Sequence, residues 1–280
     1  MPPRASLAGC LFGAIVRDTR HLSLDDAHRF NFFPASPLCT LSWFFEGASH
    51  LASFAGDGSI AIDEAPAQTA FIAGPQRRPM ISWNPGAVHA MTVAFYPDAW
   101  NALFEGDVGA YVDRTAPFDE VARGPMLDFL RGVMQHGDAE ERFRRLEDGL
   151  EPIWRQARPA GRATAHWLHD WTRALALRAA TSTAGQSARQ IQRRIKSWTG
   201  LNRRELDALA RTEQLFAAAA QLPSPDTADL AQLAAATGFA DQSHMGRHVR
   251  RVTGFSPSRL GGVIRSQEPF WCYRLLGERF

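Results

Sequence analysis

Arg189, Gln192, Arg193 and Lys196 recur at steps of three and four, the spacing of one helical stripe. Fifty-four residues on, Gln242, Ser243, Gly246, Arg247 and Arg250 occupy the corresponding stripe. Neither set contains a nucleophile beside a base or a pair of carboxylates; what the side chains share is hydrogen bonding. Arginine forks onto phosphate or onto the O6 and N7 edge of guanine, and Gln and Ser reach base edges. The chemistry these residues support is therefore recognition of a polyanion. The groups that could make or break bonds lack the arrangement to do so. Cys10, Cys39 and Cys272 are odd in number and widely spaced, which indicates neither a disulfide framework nor a metal cluster. His21, His28, His50 and His89 stand too far apart for a paired-histidine metal motif, and no Gly-x-Ser-x-Gly elbow or phosphate-cradling glycine loop occurs. The expectation is a protein that is not an enzyme and needs no cofactor or metal.

The elements that must carry these side chains come from an internal repeat. Residues 187–206 align without a gap on 241–260: Arg193 on Arg247, Thr199-Gly200 on Thr253-Gly254, Leu206 on Leu260. Ile191, Ile195 and Trp198 fall on Met245, Val249 and Val252, an apolar stripe opposite the polar one. Ser187 and Asp241 can cap the first amides, and Gly200 and Gly254 can take the left-handed conformation that ends a helix. Upstream, 229–237 reads as a short helix stopped by Gly238, which makes helix, tight turn, helix; a helix from about Glu205 to Leu222 links the two units. An exposed helix face rich in Arg, Gln and Ser is what enters a major groove. Two such faces on one rigid support could read successive groove segments from a single chain.

Charge and texture divide the rest. Residues 161–280 hold 17 Arg and Lys against 9 Asp and Glu, whereas 1–160 hold 14 against 20, and all but one of the 31 basic residues are Arg. The basic half suits a polyanion. From Cys10 to Tyr96 short apolar runs broken by Gly and Pro read as strands, notably Cys39–Phe45, Ser59–Asp63, Thr69–Ala73 and Ala90–Tyr96. Pro97 opens a short helix, and Met126, Leu127, Leu130, Val133 and Met134 begin a helical pattern that continues through Asp138–Gly149. The linker is expected at Arg155–Arg162. Trp43, Phe71 and Trp83 either form the wall of a small-molecule effector pocket or are plain core. The apolar stretch Phe270–Phe280 is expected to fold back on the protein. No window reaches the roughly 20 apolar residues of a membrane span, and the short stretch before Cys10 is no secretion signal, so the expectation is a cytoplasmic protein.

At Leu230–Leu260, above all Gly238-Phe239-Ala240-Asp241-Gln242-Ser243-His244-Met245 and Arg250-Arg251-Val252-Thr253-Gly254-Phe255-Ser256-Pro257, the sequence resembles the second helix-turn-helix of the AraC/XylS family of transcription regulators. Residues 186–206 resemble the first unit less closely: Thr181-Ser182-Thr183-Ala184-Gly185 makes a weak first helix, and Asn202-Arg203 stands where Ser-Pro is usual. The resemblance implies an α+β chain in three parts. Residues 1–157 would be a β-rich, cupin-like sensor or dimerisation barrel with flanking helices, 158–264 an all-α DNA-binding domain of two units joined by a linking helix, and 265–280 a tail. It implies a sequence-specific transcription factor whose partners are double-stranded promoter DNA, RNA polymerase if it activates, a small-molecule effector or a second copy of the chain at the N-terminal domain, and no membrane. By position, base reading falls on Arg189, Gln192, Arg193, Gln242, Ser243 and Arg247, and phosphate contact on Lys196, Arg250 and Arg251. Gly246 supplies no side chain, which places more of the discrimination on the first unit. The other reading is a cupin-like metal enzyme with an ancillary DNA-binding tail.

Overall fold

The computed structural model describes residues 1–280 apart from 105, 134, 136, 159–166, 183–186, 222–229, 279 and 280. The expectations placed on Met134, most of the linker, residues 183–186, Leu222 and Asp229 lie outside the described residues.

Alternation of apolar and polar residues builds two antiparallel sheets in the N-terminal half. The first has the order β1 (Leu11–Asp18), β8 (His89–Phe95), β3 (Cys39–Glu46), β6 (Ala70–Ala73), β9 (Thr115–Ala116). Its register pairs Leu41 with Val93 and Ile72, and Trp43 with Met91, so the centre of one face is apolar and buried. That face is covered by α1 (Pro97–Leu103), α2 (Gly124–Gly132) and α3 (Ala139–Ala157), through Trp100, Leu130, Leu146 and Trp154. Pro97 sits at the start of α1, where its missing N–H costs nothing, and Asp138 caps α3 by accepting from the Glu141 amide. Because α3 runs on to Ala157 with Trp154 buried, the expected linker opening at Arg155 is helix in the structure.

The second sheet has the order β2 (Phe30–Phe33), β7 (Met80–Trp83), β4 (His50–Phe54), β5 (Ile60–Ile62). Phe32 pairs with Ile81, and both face the C-terminal half, where they share a core with Leu215, Phe239, Met245, Phe255, Leu260 and Phe270. Phe32 stacks on Phe270 at 4.8 Å between ring centroids and meets Phe255 edge-on at 5.2 Å. Each such pair contributes about 0.5–1.5 kcal/mol beyond area burial, more than an exposed ion pair. On the faces turned away from these cores, Arg17 on β1 and Asn31 and Phe33 on β2 converge on Trp271.

The C-terminal half is helical: α4 (Leu168–Thr181), α5 (Ala188–Thr199), α6 (Arg203–Ala220), α7 (Leu230–Ala236), α8 (Gln242–Thr253), α9 (Pro257–Ile264) and α10 (Trp271–Glu278). It is not a bead on a string. Its cores are continuous with those of the N-terminal half, one through Trp171, Ile195 and Leu206, the other through Phe255 and Phe270. The tail folds back as expected, with Phe270, Cys272 and Tyr273 buried. Glu268 pairs with Arg17 at 2.7 Å, and the Trp271 indole donates to Asn31 Oδ1 at 2.7 Å. Among the described residues no helix is long and apolar enough to cross a membrane.

Candidate nucleic-acid interface

The repeat is reproduced in its local structure. Ser187 Oγ accepts from the Gln190 amide and Asp241 Oδ1 from the His244 amide, so each helix begins with its orphan donor satisfied. Both helices are 12 residues long. Each ends at a glycine in the left-handed region, Gly200 at φ 73° and Gly254 at φ 83°, whose amide donates at 2.8 Å to Lys196 O or Arg250 O. The preceding threonine closes the turn in both. Thr199 Oγ1 donates to Ile195 O and accepts from the Leu201 amide, and Thr253 Oγ1 does the same with Val249 O and the Phe255 amide. Asn202 and Ser256, again 54 apart, cap α6 and α9. In the second unit Gly238 takes a φ of 74° and the Phe239 amide bonds Ala234 O, which turns the chain from α7 into α8.

The same helices bury one stripe and expose the other. Ile195, Met245, Val249 and Val252 are buried, with Ile191 and Trp198 half-buried. Arg189, Gln192, Arg193 and Lys196 on α5, and Gln242, Ser243, Arg247, Arg250 and Arg251 on α8, are all exposed. Among the described residues none of the six cations in this set has a carboxylate within salt-bridge distance, in contrast to Arg203 with Asp207 and Arg145 with Glu141. Unpaired guanidinium groups on a helix face keep their donors for an incoming anion. Gly246 is half-buried with open space where a Cβ would stand.

Ahead of α5 in the first unit, α4 is 14 residues long and ends at Thr181, with Trp171, Leu175 and Ala179 anchoring it in the core; most of the weak first helix expected at 181–185 lies outside the described residues. Arg194, beside the reading stripe, turns away from it and donates to Ala179 O at 2.6 Å, tying α5 to α4. In the second unit His248 is buried under α6, with Nε2 2.7 Å from Thr212 Oγ1. Burial first, then the charges of Arg251 and Arg211, push its pKa down to about 4.

The three candidate effector residues do not come together. Trp43 points into the helix-covered face of the first sheet, fully buried, its indole donating to Leu130 O at 2.9 Å. Phe71 pairs with Ser42, one residue along β3, so it faces the opposite side of that sheet. Trp83 lies on the second sheet, on the face turned to the C-terminal half, and its indole donates to Asp26 O. The aromatic character is real, but strand alternation sends the three rings to different faces. A cavity of about 330 Å³ lined by Thr19, Leu22, Ser23, Leu24, Asp25, Arg29, Gly86 and Ala87 includes none of them. Among the described residues no three His, Cys, Asp or Glu side chains gather to hold a metal. Cys10, Cys39 and Cys272 are all buried, and burial pushes the Cys272 thiol up to about 12.

Asp98 and Asn101, which the sequence did not single out as functional, contact the first unit; their partners Trp171, Arg178, Ser197 and Trp198 lie 73–97 residues away, beyond the reach of any local pattern.

Comparison with known proteins agrees with the repeat. Residues 180–261 match the family model described as a helix-turn-helix domain. No curated protein matches the chain. Among solved structures the chain is similar to ToxT from Vibrio cholerae, at 11% identity and a TM-score of 0.39 over 88% of this chain and 96% of that one. It is also similar to ToxT bound to (E)-4-(8-methylnaphthalen-1-yl)but-3-enoic acid, at 10% identity and 0.36 over 88% and 96%. Unsaturated fatty acid-bound ToxT gives 11% and 0.36 over 90% and 95%. Scores at this level leave the fold of the present chain to rest on its own strand order and helix packing. The family match, on a segment whose two reading helices share length, caps and exposed stripe, identifies residues 180–261 as a helix-turn-helix domain of the AraC type.

Proposed function

We propose that this chain is a cytoplasmic, sequence-specific DNA-binding regulator of transcription initiation, acting by binding and not by catalysis. In this reading α5 and α8 enter successive major-groove segments of a promoter duplex. Arg189, Gln192 and Arg193 read bases from the first helix, and Gln242, Ser243 and Arg247 from the second, while Lys196, Arg250 and Arg251 neutralise phosphates. The observation that carries it is the pair of correspondingly capped helices, each burying one stripe and holding the other, donor-rich and without carboxylate partners among the described residues, in solvent.

The N-terminal 157 residues would be the controlling domain. A small effector would lie against Phe71 and the Ser42–Thr92 hydroxyl pair, on the face of the first sheet opposite Trp43. Trp43, with its ring and its indole N–H both engaged, and Trp83, on the far face of the second sheet, would not contact it.

The test selects binding sites from a randomised duplex pool with the full chain and then titrates variants on the preferred site. Arg193→Ala and Arg247→Ala should each lose about 1–3 kcal/mol of site-specific binding and relax base preference at separate positions. Unchanged affinity and preference in both variants would overturn the docking.

A further inference from the structure

The first reading helix is held from outside its own domain. Pro97 starts α1 directly after β8, and Asp98 and Asn101, three residues apart, lie on one side of that helix. The Asp98 side chain is only 2% exposed. One of its oxygens accepts the indole N–H of Trp171 on α4 at 2.9 Å, and the other pairs with Arg178 Nη2 at 2.9 Å. The Arg178 guanidinium in turn lies over the ring of Trp198, in the last turn of α5, 4.3 Å from its centroid. One turn along α1, the Asn101 amide donates to Ser197 O and Trp198 O, carbonyls in the last turn of α5, at 3.2 and 3.5 Å; its oxygen accepts from the Val108 amide.

Stability alone is a poor reason for this arrangement. A buried ion pair repays its desolvation only with good geometry, and apolar residues of like volume often pack as well or better. What the pair supplies is direction. A carboxylate held by two donors, and a guanidinium stacked on one particular ring, admit few orientations of α4 and α5 against α1. The second reading helix is fastened differently, by the Ala35 amide on Val252 O at 2.8 Å and by Phe255 among Phe32, Phe54 and Phe270, with no carboxylate in the contact among the described residues. The helix that carries the clamp is also the direct continuation of β8, whose Thr92 lies beside Ser42 on the face of the first sheet opposite Trp43.

We propose that Asp98 and Asn101 are positioning residues for base reading by the first unit: they set where Arg189, Gln192 and Arg193 stand relative to α8, and they are the point at which the N-terminal domain acts on that unit. This inference rests on the DNA-reading function given above, and its test separates the two. Full-length Asp98→Asn keeps the size and an acceptor for Trp171 but turns a neutral amide to Arg178. Asn101→Asp keeps the acceptor for Val108 but sets a carboxylate against the Ser197 and Trp198 carbonyls, at an exposed position where folding is not at stake.

Both variants are titrated on the preferred duplex and put through the same randomised selection beside Arg193→Ala and Arg247→Ala. Each should bind roughly ten-fold more weakly. Base preference should relax in the half of the site that Arg193→Ala marks and persist in the half that Arg247→Ala marks. Wild-type preference in both halves overturns the proposal, as does equal relaxation in both, which is what a general loss of structure would produce. If Asp98→Asn does not fold, Asn101→Asp decides alone. If Arg193→Ala itself leaves no imprint, the DNA-reading assignment fails instead.

Discussion

At the scale of single residues, the two reading stripes differ most at Gly246, which stands where the first unit has Gln192. Glycine in the middle of a helix is less favourable than alanine by about 1 kcal/mol, and a Cβ at Gly246 would meet nothing within 4 Å. Gly246→Ala should therefore stabilise the chain by about 1 kcal/mol, seen as a raised denaturation midpoint; a lowered midpoint would mean that α8 needs the glycine. Arg250 makes the opposite kind of prediction. It is exposed and has no carboxylate partner among the described residues, so its replacement by alanine should weaken binding uniformly across sequences and reduce the slope of log affinity against log salt by about 1. An unaltered slope would remove its phosphate role. Exposure of these residues was legible in the sequence because a stripe and its opposite are fixed by the 3.6-residue period. The effector trio was not, because aromatic residues fill a core and line a pocket equally well.

At the scale of elements, α8 is held against α6 by His248. The groups facing it are Thr212 and Arg211 on α6, Phe239 in the preceding turn, and Arg251 and His244 on its own helix. Its folded pKa, about 4, lies below the ordinary 6.5. Between those values the unfolded chain carries the proton and the folded chain does not, so stability is full above about 6.5 and is lost as pH falls toward 4. Denaturant midpoints measured from pH 7 to pH 5 should fall, and His248→Gln, which keeps a partner for Thr212, should remove part of that dependence. Identical profiles for the two proteins would show that the imidazole does not titrate there. The helices themselves were readable in advance, since caps, terminal glycines and apolar spacing act within four residues. The strength of α4 was not, because Trp171 and Leu175 gain their core from α5, α6 and the N-terminal half together, partners brought in by tertiary packing.

At the scale of the whole molecule, the tail after α9 joins the domains. Phe270 stacks on Phe32, Trp271 bonds Asn31, Glu268 pairs with Arg17, and Tyr273 meets Phe216 of α6 edge-on at 5.7 Å. Trp271→Phe keeps an aromatic ring but leaves the buried Asn31 oxygen without this donor. It should cost roughly 1–3 kcal/mol, read by thermal or denaturant unfolding of the full chain. No change in the midpoint would mean that the tail merely rests on the sheet edge.

The sequence by itself determined the repeat, the two helices with their starts and stops, the donor-rich stripes and the strand-rich character of the first hundred residues. All of these follow from interactions within a few positions or from a period of 2 or 3.6. Only the tertiary structure decided which face of each sheet meets helices and which meets the C-terminal half, that Trp43, Phe71 and Trp83 part company, and that α1 and the tail hold the reading helices. Those outcomes depend on partners such as Asp98 with Trp171 or Asn31 with Trp271, 73 and 240 residues apart. A strand's alternation says that two faces exist; packing at such distances assigns each face its neighbour.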